Sequence, residues 1–327
     1  MRRINVGVLG VGNMGKNHVR IYSQLSHLVN LVGIYDHDSC KRDIVCAEYN
    51  TKFFDSMEKL LDQVDAVSIA VPSSLHYSCA MKCFERGIHV LVEKPIALNQ
   101  DQGASMVEAS KKASVVLLVG HVERYNPAAQ ALKKMLLNEE IVALDFRRLS
   151  PYDLRISDTD VIQDLMIHDI DVLNYLIGSP LVSLEAYGLK MKANHLIDHA
   201  VAIGHTECNK IVSLTASRVT EQKVRKLFVT AKSTYIEMDY LERKLTISRR
   251  TDLCNYLSEK VINYRQESLM ETVLVPNTEP LLAEIMDFIN CINSKSMPIA
   301  SGEAGLTALK VASEIQAKVK LHELHHL

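Results

Sequence analysis

The chain has 327 residues, about twice the ~150 of a common domain, which predicts two domains. A hydrophobic content of 47% with 23% charged residues excludes general disorder, and a net charge of −2 offers no basic field to nucleic acid. Aromatic residues make up only 6%, Trp is absent, and no apolar run approaches the ~20 residues that span a bilayer, so neither a base-stacking surface nor a membrane anchor is expected.

Met1-Arg2-Arg3 and the apolar residues after them imitate a signal peptide. Gly10, Gly12 and Gly15 stand where a cleavage site would be, so Ile4–Leu9 is read as a buried strand. Further apolar runs at 31–35, 66–71, 88–92 and 115–119 alternate with segments of helical spacing, such as Met57, Leu60 and Leu61 or Ala80, Met81 and Phe84. That alternation predicts a doubly wound parallel sheet, an α/β Rossmann domain over 1–121. Beyond it the texture changes. A helix is expected at 160–177, with Leu165, Leu173 and Leu176 on its apolar side, followed by strands at 181–189, 198–206, 210–219, 224–232, 234–239, 243–248 and 271–275. Short links between these strands predict a mainly antiparallel sheet in an α+β second domain over 122–302. Helices at 281–293 and 303–323, the latter capped by Ser301, close the chain, with 303–327 as a terminal helical segment.

The strongest local signal is Gly10-Val11-Gly12-Asn13-Met14-Gly15, between a strand and a helix. The first glycine makes the tight turn, the second admits a pyrophosphate to the backbone, and the third lets helix and strand pack closely. The helix N-terminus then offers N–H groups to phosphate. Asp36 ends the second strand, where a carboxylate accepts hydrogen bonds from ribose hydroxyls and repels a 2′-phosphate. His37 follows, and the next Arg is Arg42, so NAD is favoured over NADP. Glu93-Lys94-Pro95 ends another strand, at the edge where open parallel sheets bind ligands; a solvated lysine is the plainer alternative. Asp164, His168 and Asp171 share or nearly share a helical face, which suits a proton-shuttling histidine beside carboxylates as well as an ordinary charged face.

Together the glycine fingerprint, Glu93-Lys94-Pro95 and Asp164-x-x-x-His168 resemble the Gfo/Idh/MocA family of nicotinamide-dependent oxidoreductases in order and spacing. Val71-Pro72-Ser73-Ser74-Leu75-His76 is similar to the family's Thr-Pro-x-x-x-His, with Val in place of Thr, and residues 298–306 are similar to the segment opening its last helix. The resemblance implies that Gly10, Gly12, Asn13, Met14, Gly15, Asp36, Pro72, Ser73, His76, Glu93, Lys94 and Arg124 contact the cofactor. It also implies an open second-domain sheet used for homodimer or homotetramer contacts, and a final helix packing back on the nucleotide domain. Gly120-His121-Val122-Glu123-Arg124-Tyr125-Asn126-Pro127-Ala128 resembles the family's UDP-N-acetylglucosamine 3-dehydrogenases, with Tyr125 where Phe is usual; Val161–Asp171 fits the same group, with Gln163 a small departure. Relatives of that kind oxidise a sugar 3-hydroxyl to a ketone that an aminotransferase then converts.

Lys94, Asp164 and His168 are the catalytic group that the resemblance supports. In one division His168 is the general base, oriented by Asp164, while Lys94 donates to the developing alkoxide; in the other Lys94 is the base. Lys94, Arg124, Asn126, Arg155, Asp164 and His168 are expected at the substrate. Arg147 and Arg148 are weaker candidates for a diphosphate, an exposed strand edge being the favoured reading. His322-Glu323-Leu324-His325-His326 satisfies the His-Glu-x-x-His zinc pattern, but it stands at the chain end without a third ligand, so no metal is expected. Seven scattered cysteines suit reduced thiols in a cytoplasm, and Cys79 and Cys83 read as small buried residues. The rival functions are a dehydrogenase of free cyclitols or aldoses, a glycosidase that retains its NAD, and a non-catalytic NAD-binding regulator.

Overall fold

In the computed structural model, which describes residues 3–152, 159–191, 196–250, 254–258, 261–265 and 268–321, the early apolar runs pair as one parallel sheet. Its strands are β1 (Ile4–Leu9), β2 (Val29–Tyr35), β3 (Ala66–Ile69), β4 (His89–Glu93) and β5 (Leu117–Gly120), in the order β2-β1-β3-β4-β5. Helices α1 (Asn13–Gln24), α2 (Ser39–Tyr49), α3 (Met57–Leu61), α4 (His76–Phe84) and α5 (Gln100–Lys112) lie between the strands in sequence. The order reverses at β1, and the carboxyl ends of β1 and β3 therefore flank the crevice where such sheets bind ligands.

The second sheet follows α6 (Pro127–Leu136) and is built from β6 (Ile141–Leu149), then, after α7 (Ile167–Ile177), from β7 (Leu181–Leu189), β8 (His199–Thr206), β9 (Ile211–Ser217), β10 (Val224–Ala231), β11 (Thr234–Asp239) and β12 (Lys244–Arg250). A separate hairpin pairs β13 (Cys254–Ser258) with β14 (Val261–Arg265), and β15 (Ser268–Val273) returns to the edge of the large sheet. Two helices, α8 (Pro280–Ser294) and α9 (Gly302–Lys318), and a short strand β16 (Val319–Leu321) end the described chain. The nine-stranded order is β15-β12-β11-β10-β6-β9-β8-β7-β16. Pairing is antiparallel except at β6–β9 and β7–β16. Period-two patterning sets its buried face: Ala186, Ala202, Leu214, Phe146, Leu227, Met238 and Leu245 lie in one row across the ladder, and all are buried.

The α/β Rossmann and α+β assignments are borne out, with corrections in detail. The compact units comprise Met1–Tyr125 with Thr278–Ser313, and Asn126–Asn277 with Glu314–Leu327. Residues 278–302, expected in the second domain, thus belong to the first. The reason is apolar cover: Leu281, Ile285, Phe288 and Ile289 of α8 join Val6, Val8, Val19, Tyr22 and Leu118 in the core on one face of the parallel sheet. α4 and α5 cover the opposite face, where Leu309 of α9 joins Met106 and Val107. The last helix stops at Lys318 rather than 323, because Val319–Leu321 extends to pair with Ala186–Gly188. The helix expected over 160–177 begins with a π-helical turn at Ile162–Met166.

Candidate active site

Gly10 adopts φ +83°, and its N–H donates to Tyr35 O at 2.8 Å. A Cβ there would lie 2.7 Å from Ala70 O, and one at Gly15 would lie 1.9 Å from Gly10 O, so both positions require glycine for the fold itself. Gly12 differs. A Cβ there would meet nothing within 4 Å, so its missing side chain keeps space open above the turn rather than relieving a clash. Asn13 and Met14 open α1, which has neither a side-chain cap nor an acidic residue in its first turn. Uncapped N–H groups, a positive dipole end and an empty approach over Gly12 form a cradle that fits a dinucleotide pyrophosphate.

Beside this turn a cleft of about 440 Å³ is lined by Gly10, Gly12, Asp36, Val71 and Pro72. Asp36 Oδ2 accepts from Val11 N at 2.7 Å and Oδ1 from Asp38 N at 2.9 Å, which fixes the carboxylate at the rim. Met57, Leu75 and Cys79 give the cleft an apolar wall suited to a flat ring, and Lys41 stands at its mouth. Met57, Leu75 and Lys41 escape sequence reasoning because nothing local distinguishes them from ordinary helix residues. Cys79 and Cys83 are buried, as expected.

Ser73 begins the single turn Ser73–Leu75 that leads into α4. His76, expected at the cofactor, points inward: its Nδ1 is 2.8 Å from Pro95 O and its Nε2 3.0 Å from Val71 O. Burial holds its proton affinity below the ordinary imidazole value. Glu93 is likewise turned into the interior, with Oε1 2.9 Å from His18 Nε2. Burial works to raise its proton affinity, but the His18 hydrogen bond and the nearby positive charge of Lys94 oppose it and hold the carboxyl below its ordinary value. Lys94, joined to Pro95 by a cis peptide bond, is half-buried, while every other residue from Val90 to Ala97 is buried. Arg124 is buried on the short turn Val122–Tyr125, and its Nη1 donates to Ile299 O at 2.9 Å. The Tyr125 hydroxyl, extra to the usual Phe, donates to Asp287 Oδ2 at 2.8 Å and accepts from Ala300 N at 3.3 Å.

In the second unit, Asn126 caps α6: its Oδ1 accepts from Ala128 N at 3.1 Å, and its Nδ2 donates to Tyr240 O at 3.1 Å. Asn126 is 2% exposed. Asp160 Oδ1 accepts from Ile162 N and Gln163 N at 3.0 Å, starting the π turn, and Gln316 donates to Asp160 Oδ2 at 2.7 Å. Gln163 donates to Gln316 Oε1 at 3.3 Å, which gives that departure from the family pattern a local partner. From Val161 to Leu173 every residue is buried except Gln163, Asp164 and His168. The spacing therefore places Asp164 and His168 on one accessible strip of an otherwise interior helix. Asp171, expected with them, is fully buried.

Arg147 is exposed, but Arg148 is 1% exposed, which corrects the expectation of an exposed edge for both. β6 is central, and alternation turns Arg148 to the covered face, where Nε and Nη2 bond Asp169 at 2.8 to 3.1 Å. Arg218 Nε similarly pairs with buried Asp198 at 2.8 Å. Arg155 and the His322–His326 pattern lie outside the described residues. Among the described residues, no group of three or more His, Cys, Asp or Glu could hold a metal ion, and no helix is long and apolar enough to cross a membrane.

Comparison with known proteins agrees with this geometry. Residues 4–121 match the model of the "oxidoreductase family, NAD-binding Rossmann fold", and residues 145–236 match the "GFO/IDH/MocA C-terminal domain". The chain is 31% identical over 320 residues to UDP-N-acetylglucosamine 3-dehydrogenase of Acidithiobacillus ferrooxidans, covering 98% of each chain. A solved structure of that enzyme superposes with a TM-score of 0.86 at 31% identity over 98% of both chains. The NAD-dependent scyllo-inositol 2-dehydrogenase of Bacillus subtilis is 27% identical over 196 residues, covering 57% of each chain. Levoglucosan dehydrogenase, solved with NADH and levoglucosan, shares the fold with a TM-score of 0.83 at 18% identity over 97% of both chains.

Proposed function

This chain belongs to the Gfo/Idh/MocA oxidoreductase family, and from that premise we propose that it oxidises the 3-hydroxyl of UDP-N-acetylglucosamine to the 3-keto sugar nucleotide, with NAD as acceptor. The observation that carries this reading is the extent of the similarity. It covers 98% of the chain for the UDP-N-acetylglucosamine enzyme, against 57% for the inositol enzyme of Bacillus subtilis. The one match thus takes in essentially the whole second unit, whereas the other leaves more than two-fifths of the chain unmatched.

Bound NAD supplies the hydride acceptor; the chain supplies binding, orientation and proton handling. The glycine turn and α1 hold the pyrophosphate, and Asp36 receives the adenosine ribose hydroxyls. Lys94, Asp164 and His168 form the catalytic group. In the favoured division His168 Nε2 takes the hydroxyl proton, Asp164 orients the imidazole, and the Lys94 ammonium donates to the oxygen as negative charge builds there. The reversed division, with Lys94 as base, uses the same residues. Arg124 and Asn126 support the segment leading into the second unit, and Arg155 is the candidate for the diphosphate. The keto product is a substrate for an aminotransferase, and the setting is cytoplasmic. The uncovered face of the large sheet, with Tyr187, Ile203 and Tyr235 exposed on it, suits a homodimer or homotetramer, which sedimentation would detect as a multiple of the 36.7 kDa chain.

A panel of UDP-sugars, inositols and free sugars with NAD or NADP, followed by NADH absorbance and coupled to a sugar aminotransferase, tests the substrate. UDP-N-acetylglucosamine is expected to give stoichiometric NADH. Efficient oxidation of inositol with UDP-N-acetylglucosamine ignored would overturn the substrate; binding of NAD with no turnover of any sugar would favour a regulator. Lys94→Ala is expected to lower kcat by roughly 10²-fold or more with little change in NAD affinity, and His168→Ala similarly. Turnover within tenfold of wild type for both variants would remove the catalytic assignment.

A further inference from the structure

Buried polar side chains need partners, and the first unit contains a linked set of four that the mechanism above leaves unused. His18 and Tyr22 stand four apart on α1, and both are fully buried. His18 Nε2 is 2.9 Å from Glu93 Oε1, and His18 Nδ1 is 3.0 Å from Ser68 Oγ. Ser68 Oγ is in turn 2.8 Å from the Tyr22 hydroxyl. One arrangement of protons satisfies every member: Tyr22 donates to Ser68, Ser68 donates to His18 Nδ1, and His18 Nε2–H donates to the Glu93 carboxylate. Ser68 lies on β3 and Glu93 is the last residue of β4. The set therefore runs from the helix behind the glycine turn, across the sheet, to the strand end that carries Lys94.

We propose that His18 is a positioning residue, which holds Glu93 and thereby fixes the strand end from which Lys94 reaches the substrate oxygen. The inference rests on the reading of Lys94 as a catalytic residue. Both its chain neighbours are held, the Glu93 carboxylate by His18 and the Pro95 carbonyl by His76. Glu93 has little freedom to rearrange, since even a Cβ on Gly120 would lie 2.8 Å from its Oε2. A buried carboxylate deprived of its donor must rotate or take up a proton, and either change is felt at the adjacent residue. Misplacement of a reacting group by about 1 Å lowers rates by as much as ~10²-fold. The need for a buried donor also explains a histidine on the inward face of α1, where an aliphatic residue would otherwise pack.

The test compares His18→Gln with His18→Asn in the full chain. Glutamine extends an amide N–H to the place of Nε2 and can still reach Glu93; asparagine is too short, although it keeps a partner for Ser68. Each is assayed with NAD and UDP-N-acetylglucosamine, or the panel sugar that wild type oxidises fastest, beside thermal melting and NAD titration. His18→Asn is expected to lower kcat by about tenfold or more while the NAD dissociation constant stays within about threefold, and His18→Gln to recover kcat to within about threefold. Equal kcat values for the two variants, or a loss that follows melting temperature alone, would overturn the proposal. Lys94→Ala in the same assay separates the two readings. If it too keeps wild-type turnover, the catalytic reading has failed; if it is inactive while His18→Asn is not, only the role of His18 has failed.

Discussion

The glycine turn of the first unit and the interior of the second handle polar groups in opposite ways. At the carboxyl edge of the parallel sheet the site is made of backbone: an uncapped helix end, a positive-φ glycine and an open space over Gly12. In the second unit the polar interior is made of side chains, Arg148 with Asp169 and Arg218 with Asp198, all nearly inaccessible to water. The backbone site requires only small residues in the right local order, whereas the ion pairs require charges supplied by elements far apart in sequence. Arg148 also fastens β6 to α7 at the residue next to His168, so a buried charge pair adjoins the residue proposed as the base.

The largest expected effect breaks the second kind of site. Arg148→Met leaves Asp169 buried without its guanidinium and is expected to destabilise the protein by about 3–5 kcal/mol in chemical denaturation. Arg148→Met combined with Asp169→Leu is expected to recover much of that loss, because no lone charge remains inside. Glycine substitutions sharpen the first kind. Gly15→Ala drives a methyl into the Gly10 carbonyl and is expected to lower stability by about 1–3 kcal/mol along with NAD affinity. Gly12→Ala, which meets no protein atom, is expected to leave stability within about 0.5 kcal/mol while weakening NAD binding about tenfold or more, a distinction that melting and fluorescence titration together resolve.

Asp36→Asn keeps an oxygen for the Val11 N–H but removes the charge, and is expected to shift the ratio of kcat/KM for NADP over NAD upward by about tenfold. The smallest effect is on acid stability. Folded His76 is held below its ordinary value of 6.5, so the unfolded chain binds the extra proton first and stability begins to fall as pH drops below that value. Glu93 is held below 4.5, so its contribution is complete above that value and is lost as pH falls through its lower, folded value. Denaturation midpoints followed from pH 7 down through the folded value of Glu93 record both steps, and His76→Asn is expected to abolish the first.

Much of the fold was legible because its signals are local. Ile4–Leu9 and Gly10 to Gly15 declare a strand and a turn within a few residues of one another, Asp36 marks the end of the next strand, and Asp164 and His168 declare a shared face by their spacing. The misreadings have a common cause. α8 looked like part of the second domain because it follows that domain's strands, yet its Leu281, Ile285, Phe288 and Ile289 complete the apolar cover of the first sheet. Arg148 looked exposed because charge usually is, and its burial became evident only with Asp169 beside it. Nor does the motif that links His76 and Glu93 to the cofactor reveal that hydrogen bonds to Pro95 and His18 turn both side chains inward.

By itself the sequence determined the order of elements, the class of the two sheets and the glycine turn that marks an NAD-binding fold, since each depends on periodicity or on residues within one or two turns of chain. Tertiary structure alone decided which charges are buried, which helix covers which sheet, and that His18 meets Glu93 across 75 residues of sequence. The physical reason is that a buried polar group is tolerable only where folding delivers its partner, and that delivery cannot be read from neighbours along the chain.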